Sequence, residues 1–192
     1  MIESAISVLA SQLNEFLKVN ASVRQDFVRV SNLVEQSGTV VPDNANKIAV
    51  FLVNVAKETM PWRAPAGPSL GASRYIDSNV PLHMTLSVMF AANFSGRLYP
   101  DALRHLSNTI SFFQRRPIFD HFNTPELDGR IDRLILEIEN LGITELSNLW
   151  GIISGKYVPS ILYRVRMVTF DPDAVISQTP VITASDATAA AA

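Results

Sequence analysis

The chain has 192 residues, 47% of them hydrophobic and 18% charged, with a formal net charge of −2 at pH 7 and no cysteine. That length suits one domain able to bury a core without a metal or a disulfide, and the missing cysteines exclude disulfides, thiolate zinc sites and thiol catalysis. The slightly acidic balance argues against a nucleic-acid partner, which calls for a basic excess. The opening residues Met1-Ile2-Glu3-Ser4 do not read as a signal peptide. The most apolar runs, 48–56 and 82–92, are shorter than the ~20 residues a spanning helix needs, so no membrane insertion is expected.

In chain order, Ile2, Ile6, Leu9, Leu13, Phe16 and Leu17 recur at helical spacing and predict an amphipathic helix over 2–18. Residues 27–30 suit a short strand, and 36–46, with Gly, Pro and two Asn, suit a loop. Residues 47–57 are apolar on both alternating sets and predict a strand buried on both faces, central in a sheet. Residues 60–81 hold four prolines and no periodic pattern; they predict a long functional loop. Residues 82–92 alternate cleanly and predict a half-buried strand.

Pro100, Asp101 and Pro117 bracket a helix whose spacing assigns Leu103, Leu106, Ile110 and Phe113 to the buried face. Residues 130–139 predict a strand with Leu134, Leu136 and Ile138 inward and Glu137 and Glu139 on the opposite face. Thr144 is the expected cap of a helix over 145–153, with Gly155 closing it. A last strand, 160–170, sets Ile161, Tyr163, Val165 and Met167 against Arg164 and Arg166. The expected class is α+β, a mixed sheet of about four or five strands with flanking helices. The expected division is a domain over 1–170 and an extended Ala/Thr-rich tail over 171–192.

No catalytic motif emerges. His83, His105 and His121 lack metal-ligand spacing, and the adjacent Asp120-His121 pair does not face itself. The run from Gly151 to Lys156 is one residue short of a phosphate loop and follows a helix. Ser160 has no flanking glycines. If the strands carrying Glu137/Glu139 and Arg164/Arg166 are neighbours, cross-strand ion pairs account for all four without catalysis. Arg115 and Arg116, after Phe112 and Phe113, form a basic–aromatic cluster of the kind enriched at protein interfaces. No enzyme activity, cofactor or metal is expected.

Several ordered segments carry a resemblance: 46–54, 82–94, 99–106, 110–114, then Leu146-Ser-Asn-Leu-Trp-Gly151 and Lys156-Tyr-Val-Pro-Ser-Ile-Leu-Tyr-Arg-Val-Arg-Met167. Together they resemble the N-terminal domain of the cap, or tail-terminator, proteins of extracellular contractile injection systems. The resemblance implies a fold similar to phage tail terminators. It also implies a homo-oligomeric, hexameric ring on the end of tube and sheath that stops polymerisation and fastens one to the other; an adaptor linking the particle end to a membrane or cargo is the alternative, ahead of an enzyme with an unrecognised site. It implies assembly in the cytoplasm of the producing cell. On this reading Trp150, Gly151, Tyr157, Pro159 and Tyr163 are the structural signature. Arg164, Arg166, Arg115, Arg116, Trp62 and Tyr75 are the interface candidates, with intramolecular ion pairs left open for Arg164 and Arg166. The 60–81 loop and the 171–192 tail are expected to be contact arms.

Overall fold

The computed structural model describes residues 1–35, 37–39, 41–58, 82–153 and 156–169, and the backbone of 74–78 and 175–180. The helices are α1 (Ile2–Ala21), α2 (Tyr99–Arg115) and α3 (Ile143–Ile153). The strands are β1 (Val28–Val30), β2 (Lys47–Lys57), β3 (Arg74–Ser78), β4 (Leu82–Asn93), β5 (Ile118–Asp120), β6 (Ile131–Ile138), β7 (Ser160–Thr169) and β8 (Val175–Pro180). Six form a mixed sheet in the order β1-β2-β4-β7-β6-β5, while β3 and β8 pair separately. Among the described residues only β1 runs parallel to its neighbour.

Period-2 alternation gives the sheet two different faces. Ile48, Val50, Leu86, Val88, Phe90, Tyr163, Val165 and Met167 point to the inner face, where α1 and α2 cover them. α1 contributes Ala5, Ile6, Leu9, Leu13 and Leu17, the stripe its sequence spacing requires. Ser22 ends it in the left-handed conformation (φ 53°), and Lys18 sits in its last turn, where a cation suits the helix dipole. On the outer face Ala49, Phe51, Met89, Ala91 and Leu162 form a smaller cluster under Trp150 of α3.

Phe113 is the centre of the inner core. Its ring lies 5.1 Å from both Phe90 and Tyr163, and Phe112 and Phe119 complete the group. Tyr163 is 2% exposed, and burial pushes its phenol pKa up to about 12.

Several expectations need correction. The sheet has six strands because Ile118–Asp120 adds a three-residue edge too short to show alternation. β2 is buried on both faces only at its start; residues 54–57 are exposed, and β2 lies next to the edge strand. Residues 74–78, inside the stretch expected to be a loop, form a strand with 175–180, inside the expected tail. α2 is rotated from the expected face: Ala102, Thr109, Phe112 and Phe113 are buried, while Leu103 is 45% exposed. Small Ala102 and Thr109 let the helix approach the sheet, and Thr109 satisfies its hydroxyl on the His105 carbonyl (2.9 Å). Ile138 is 47% exposed, at the end of β6 beyond the helices' cover. Thr144 lies inside α3; the N-terminal bond comes instead from Glu145, which accepts from the Gly142 N–H (2.9 Å). Gly155 lies outside the described residues.

His105 on α2 sits between the rings of Phe27 (4.7 Å) and Phe94 (5.3 Å), its Nδ1 buried without a partner among the described residues. Burial holds its pKa below 6.5; Asp101 opposes that shift weakly and Arg104 adds to it. The unfolded chain therefore binds the proton more readily. His105 contributes stability that is complete above about pH 6.5 and is lost as pH falls toward the folded pKa. The urea midpoint is expected to decline between pH 7 and 5, and His105→Phe is expected to flatten that part of the profile. An unchanged slope in the variant would refute the assignment.

Candidate interaction surface

Beyond the reach of α3, the outer sheet face is polar. The register sets Asn54, Ser87, Arg164 and Glu137 in one row, and Ala56, Thr85, Arg166 and Ile135 in the next. Arg164 Nη2 meets Glu139 Oε1 at 2.5 Å. Arg166 lies between two carboxylates, Nη2 to Glu137 Oε2 at 3.4 Å and Nε to Glu58 Oε1 at 3.2 Å. The Glu58 contact is an ion pair without hydrogen-bond alignment, since Nε finds no hydrogen-bond partner. β6 and β7 are thus neighbours and the cross-strand pairs exist, made on the diagonal rather than straight across. Half-exposed pairs of this kind contribute only about 0–1 kcal/mol each. Their effect is to keep this face charged, with each arginine paired within the chain, and resistant to unspecific apolar contact.

Glu58 was not legible as a member, because it lies past the end of the β2 pattern. It is brought in when its N–H donates to the His83 carbonyl (3.0 Å), extending the β2–β4 ladder.

The signature residues separate into supports and surface. Trp150 is 5% exposed and meets Tyr157 edge-on at 5.5 Å, while Tyr157 itself is 63% exposed. Gly151 faces open space, where an added Cβ would meet nothing within 4 Å. The Pro159 carbonyl accepts from the Ala92 N–H (2.8 Å), aligning β7 on β4. Tyr163 belongs to the inner core, on the other side of the sheet from Arg164.

The basic–aromatic pair divides too. Arg115 is exposed, lies 5.0 Å over the Phe16 ring and donates to the Ser111 carbonyl. Arg116 turns inward to Gln12, Asn123 and Thr124, with its guanidinium 4.7 Å over Phe119. Trp62 lies outside the described residues, as does the side chain of Tyr75, whose backbone pairs with Thr179.

The histidines stay apart. His121 Nε2 meets the Ile131 carbonyl at 2.8 Å, His105 is stacked in the core margin, and His83 lies on β4. Among the described residues no group of three or more His, Asp or Glu could hold a metal. No helix among them is long and apolar enough to cross a membrane.

The six-stranded sheet carries α1 and α2 on its inner face and α3 on its outer face. Residues 5–184 match the family model described as the Pvc16 N-terminal domain. The chain belongs to that family. The fold is similar to the sheath/tube terminator of PVC, an extracellular contractile injection system, in its extended state. The identity is 14% and the TM-score 0.57, covering 94% of this chain and 63% of that one. It is also similar to the tube-terminating cap of the anti-feeding prophage, at 15% identity and TM-score 0.52, covering 90% of this chain and 57% of that one. The Pvc16-family chain therefore spans less than two thirds of the length of either structure. No curated protein is similar enough in sequence to match it.

Proposed function

We propose that this Pvc16-family chain caps the end of a phage-tail-like contractile particle, acting as a structural protein that stops growth of tube and sheath and fastens one to the other. The observation that carries the reading is a family match over 5–184 together with a terminator fold shared over 94% of the chain. The reading gains support from the outer face with its paired Arg–Glu rows and from the separate β3–β8 ribbon, both suited to protein contact.

The working form is a homo-oligomeric ring, six-membered as the resemblance implies, with Arg164, Arg166 and Arg115 among its contact residues. The domain comprises 1–170, and the residues after it, with β3, serve as arms toward the neighbours. Assembly takes place inside the producing cell. No catalysis, cofactor or nucleic acid enters this role.

Light scattering over a concentration series is the test. A stable mass of six chains, or a monomer that becomes six on adding the particle's tube protein, is the expected result. A monomer indifferent to both tube and sheath proteins would defeat it.

A further inference from the structure

β2 is eleven residues long, but its outer edge is paired only at its start. β1 covers Ile48 to Val50, and the last bond is the Ser31 N–H to the Val50 carbonyl (3.1 Å). There the chain leaves the edge, because Leu33 turns onto the outer face to pack with Ala49 and Phe51. Among the described residues no backbone bond reaches β2 from that side between 51 and 57, and residues 54–57 are exposed.

The register says which peptide groups are left. Val50 spends its carbonyl outward and Glu58 donates inward to His83, with a bulge between Leu52 and Asn54. Alternation through that bulge turns Leu52, Val55 and Lys57 outward. Beside this edge runs a groove of about 270 Å³ lined by Leu33, Val34, Phe51, Val53, Leu149 and Ile152. Ile152 on its rim is 81% exposed. Unpaired strand groups beside an apolar groove form a template for one more strand.

The same fold supplies a strand of the right kind. β3 and β8 form a two-stranded ribbon that joins no other strand among the described residues. Such a ribbon is marginal alone in water and gains stability from a third strand. β8 (Val-Ile-Ser-Gln-Thr-Pro) carries no charge and is rich in β-branched residues, whereas β3 contains Arg74 and Asp77. An apolar groove admits the first at less desolvation cost than the second. β8 has six residues and the open edge seven.

Chain continuity decides whose strand it is. Chain order ties β3 to the start of β4 through three residues and β8 to the end of β7 through five, and those two strand ends pair with each other at Leu82 and Thr169. β4 lies between β2 and β7. With β3 tied to β4 and β8 tied to β7, this strand order puts β3, and not β8, on the β2 side within one chain. We infer that the open edge of β2 is a strand-accepting site, filled in the assembled protein by β8 of a second copy of this chain. The inference rests on the ring reading and names the joint between neighbouring subunits.

The chain has no cysteine, so introduced ones report without background. Full-length Val55→Cys and Ser177→Cys proteins, mixed and oxidised, are expected to give a disulfide-linked dimer of the two. Neither alone should do so. A Val55→Cys/Ser177→Cys double variant is expected to link between chains rather than within one. Val55→Pro removes an N–H that β4 does not use, a substitution an edge tolerates. It should keep the wild-type circular dichroism and thermal midpoint but lose the ring by light scattering. A ring that forms without the cross-link, or a link confined to single chains, overturns the inference and leaves the ring reading intact. A wild-type mass of one chain with tube protein present overturns both. If Val55→Pro fails to fold, the cross-linking arms alone decide.

Discussion

Replacing Phe113 by alanine is expected to lower the unfolding free energy by about 3–5 kcal/mol, the range seen when a buried aromatic is truncated. Phe113 is 1% exposed and meets four other aromatic rings, Phe90, Phe112, Phe119 and Tyr163. These come from α2, β4, β5 and β7, so the cavity would open where the helix, the two central strands and one edge strand converge. None of those partners is free to collapse into it without breaking its own contacts. Against a typical total of about 5–15 kcal/mol, that loss is a large share of the stability. Urea denaturation measures the difference.

The informative control is on the same helix. Leu103→Ala is expected to cost less than about 1 kcal/mol, because Leu103 is 45% exposed. Apolar spacing alone puts Leu103 and Phe113 on one buried face and predicts comparable losses. Equal effects would restore that face and refute the observed rotation of α2.

That rotation shows where the sequence was legible and where it was not. β4 alternates apolar and polar residues from Leu82 to Val88 and β7 from Tyr163 to Met167, and the residues assigned inward line the inner core or pack against it, apart from Leu82, whose side chain lies outside the described residues. α1 was equally plain, since a clean stripe admits only one orientation. α2 misled because two of its four buried positions are the small Ala102 and the polar Thr109, to which a pattern of large apolar residues gives no weight. β5 was silent because three residues show no period, and it exists only because β6 offers an edge to it. The β3–β8 ribbon joins segments about a hundred residues apart, a pairing no local pattern encodes.

On the candidate surface, alternation placed Arg164 and Arg166 together and away from Tyr163, and the structure agrees. The third carboxylate, Glu58, and the open half of β2 follow from strand order and strand length. Neither is a property of any single segment.

The adjacent arginines offer the second large effect, and it separates folding from assembly. Arg116→Ala is expected to cost about 2–4 kcal/mol, combining lost charge-assisted bonds with partners left buried. Its guanidinium donates to Gln12 Oε1 of α1 (3.0 Å), to the carbonyl and Oδ1 of Asn123, and to Thr124 Oγ1 (2.7 Å), while stacking on Phe119. Thr124 is 0% exposed, so its hydroxyl would have to rely on Asn123 alone. No carboxylate pairs with Arg116 among the described residues, so the clamp depends on fork geometry and not on charge balance. Arg116→Lys should therefore recover less than half of the loss. Arg115→Ala removes one exposed ring contact and one carbonyl bond, and should change stability by less than about 1 kcal/mol.

The clamp also fixes the loop after β5, in which Asp120 Oδ1 accepts from the N–H groups of Phe122 and Asn123 and Phe122 is left 97% exposed. An exposed aromatic on a pinned turn is pre-ordered for contact with a partner. Arg116→Ala, studied well below its midpoint, should release that turn while the sheet stays folded. Phe122→Ala should leave stability unchanged. If both weaken ring formation, the clamp serves assembly through Phe122. If only Arg116→Ala does, its effect is confined to folding.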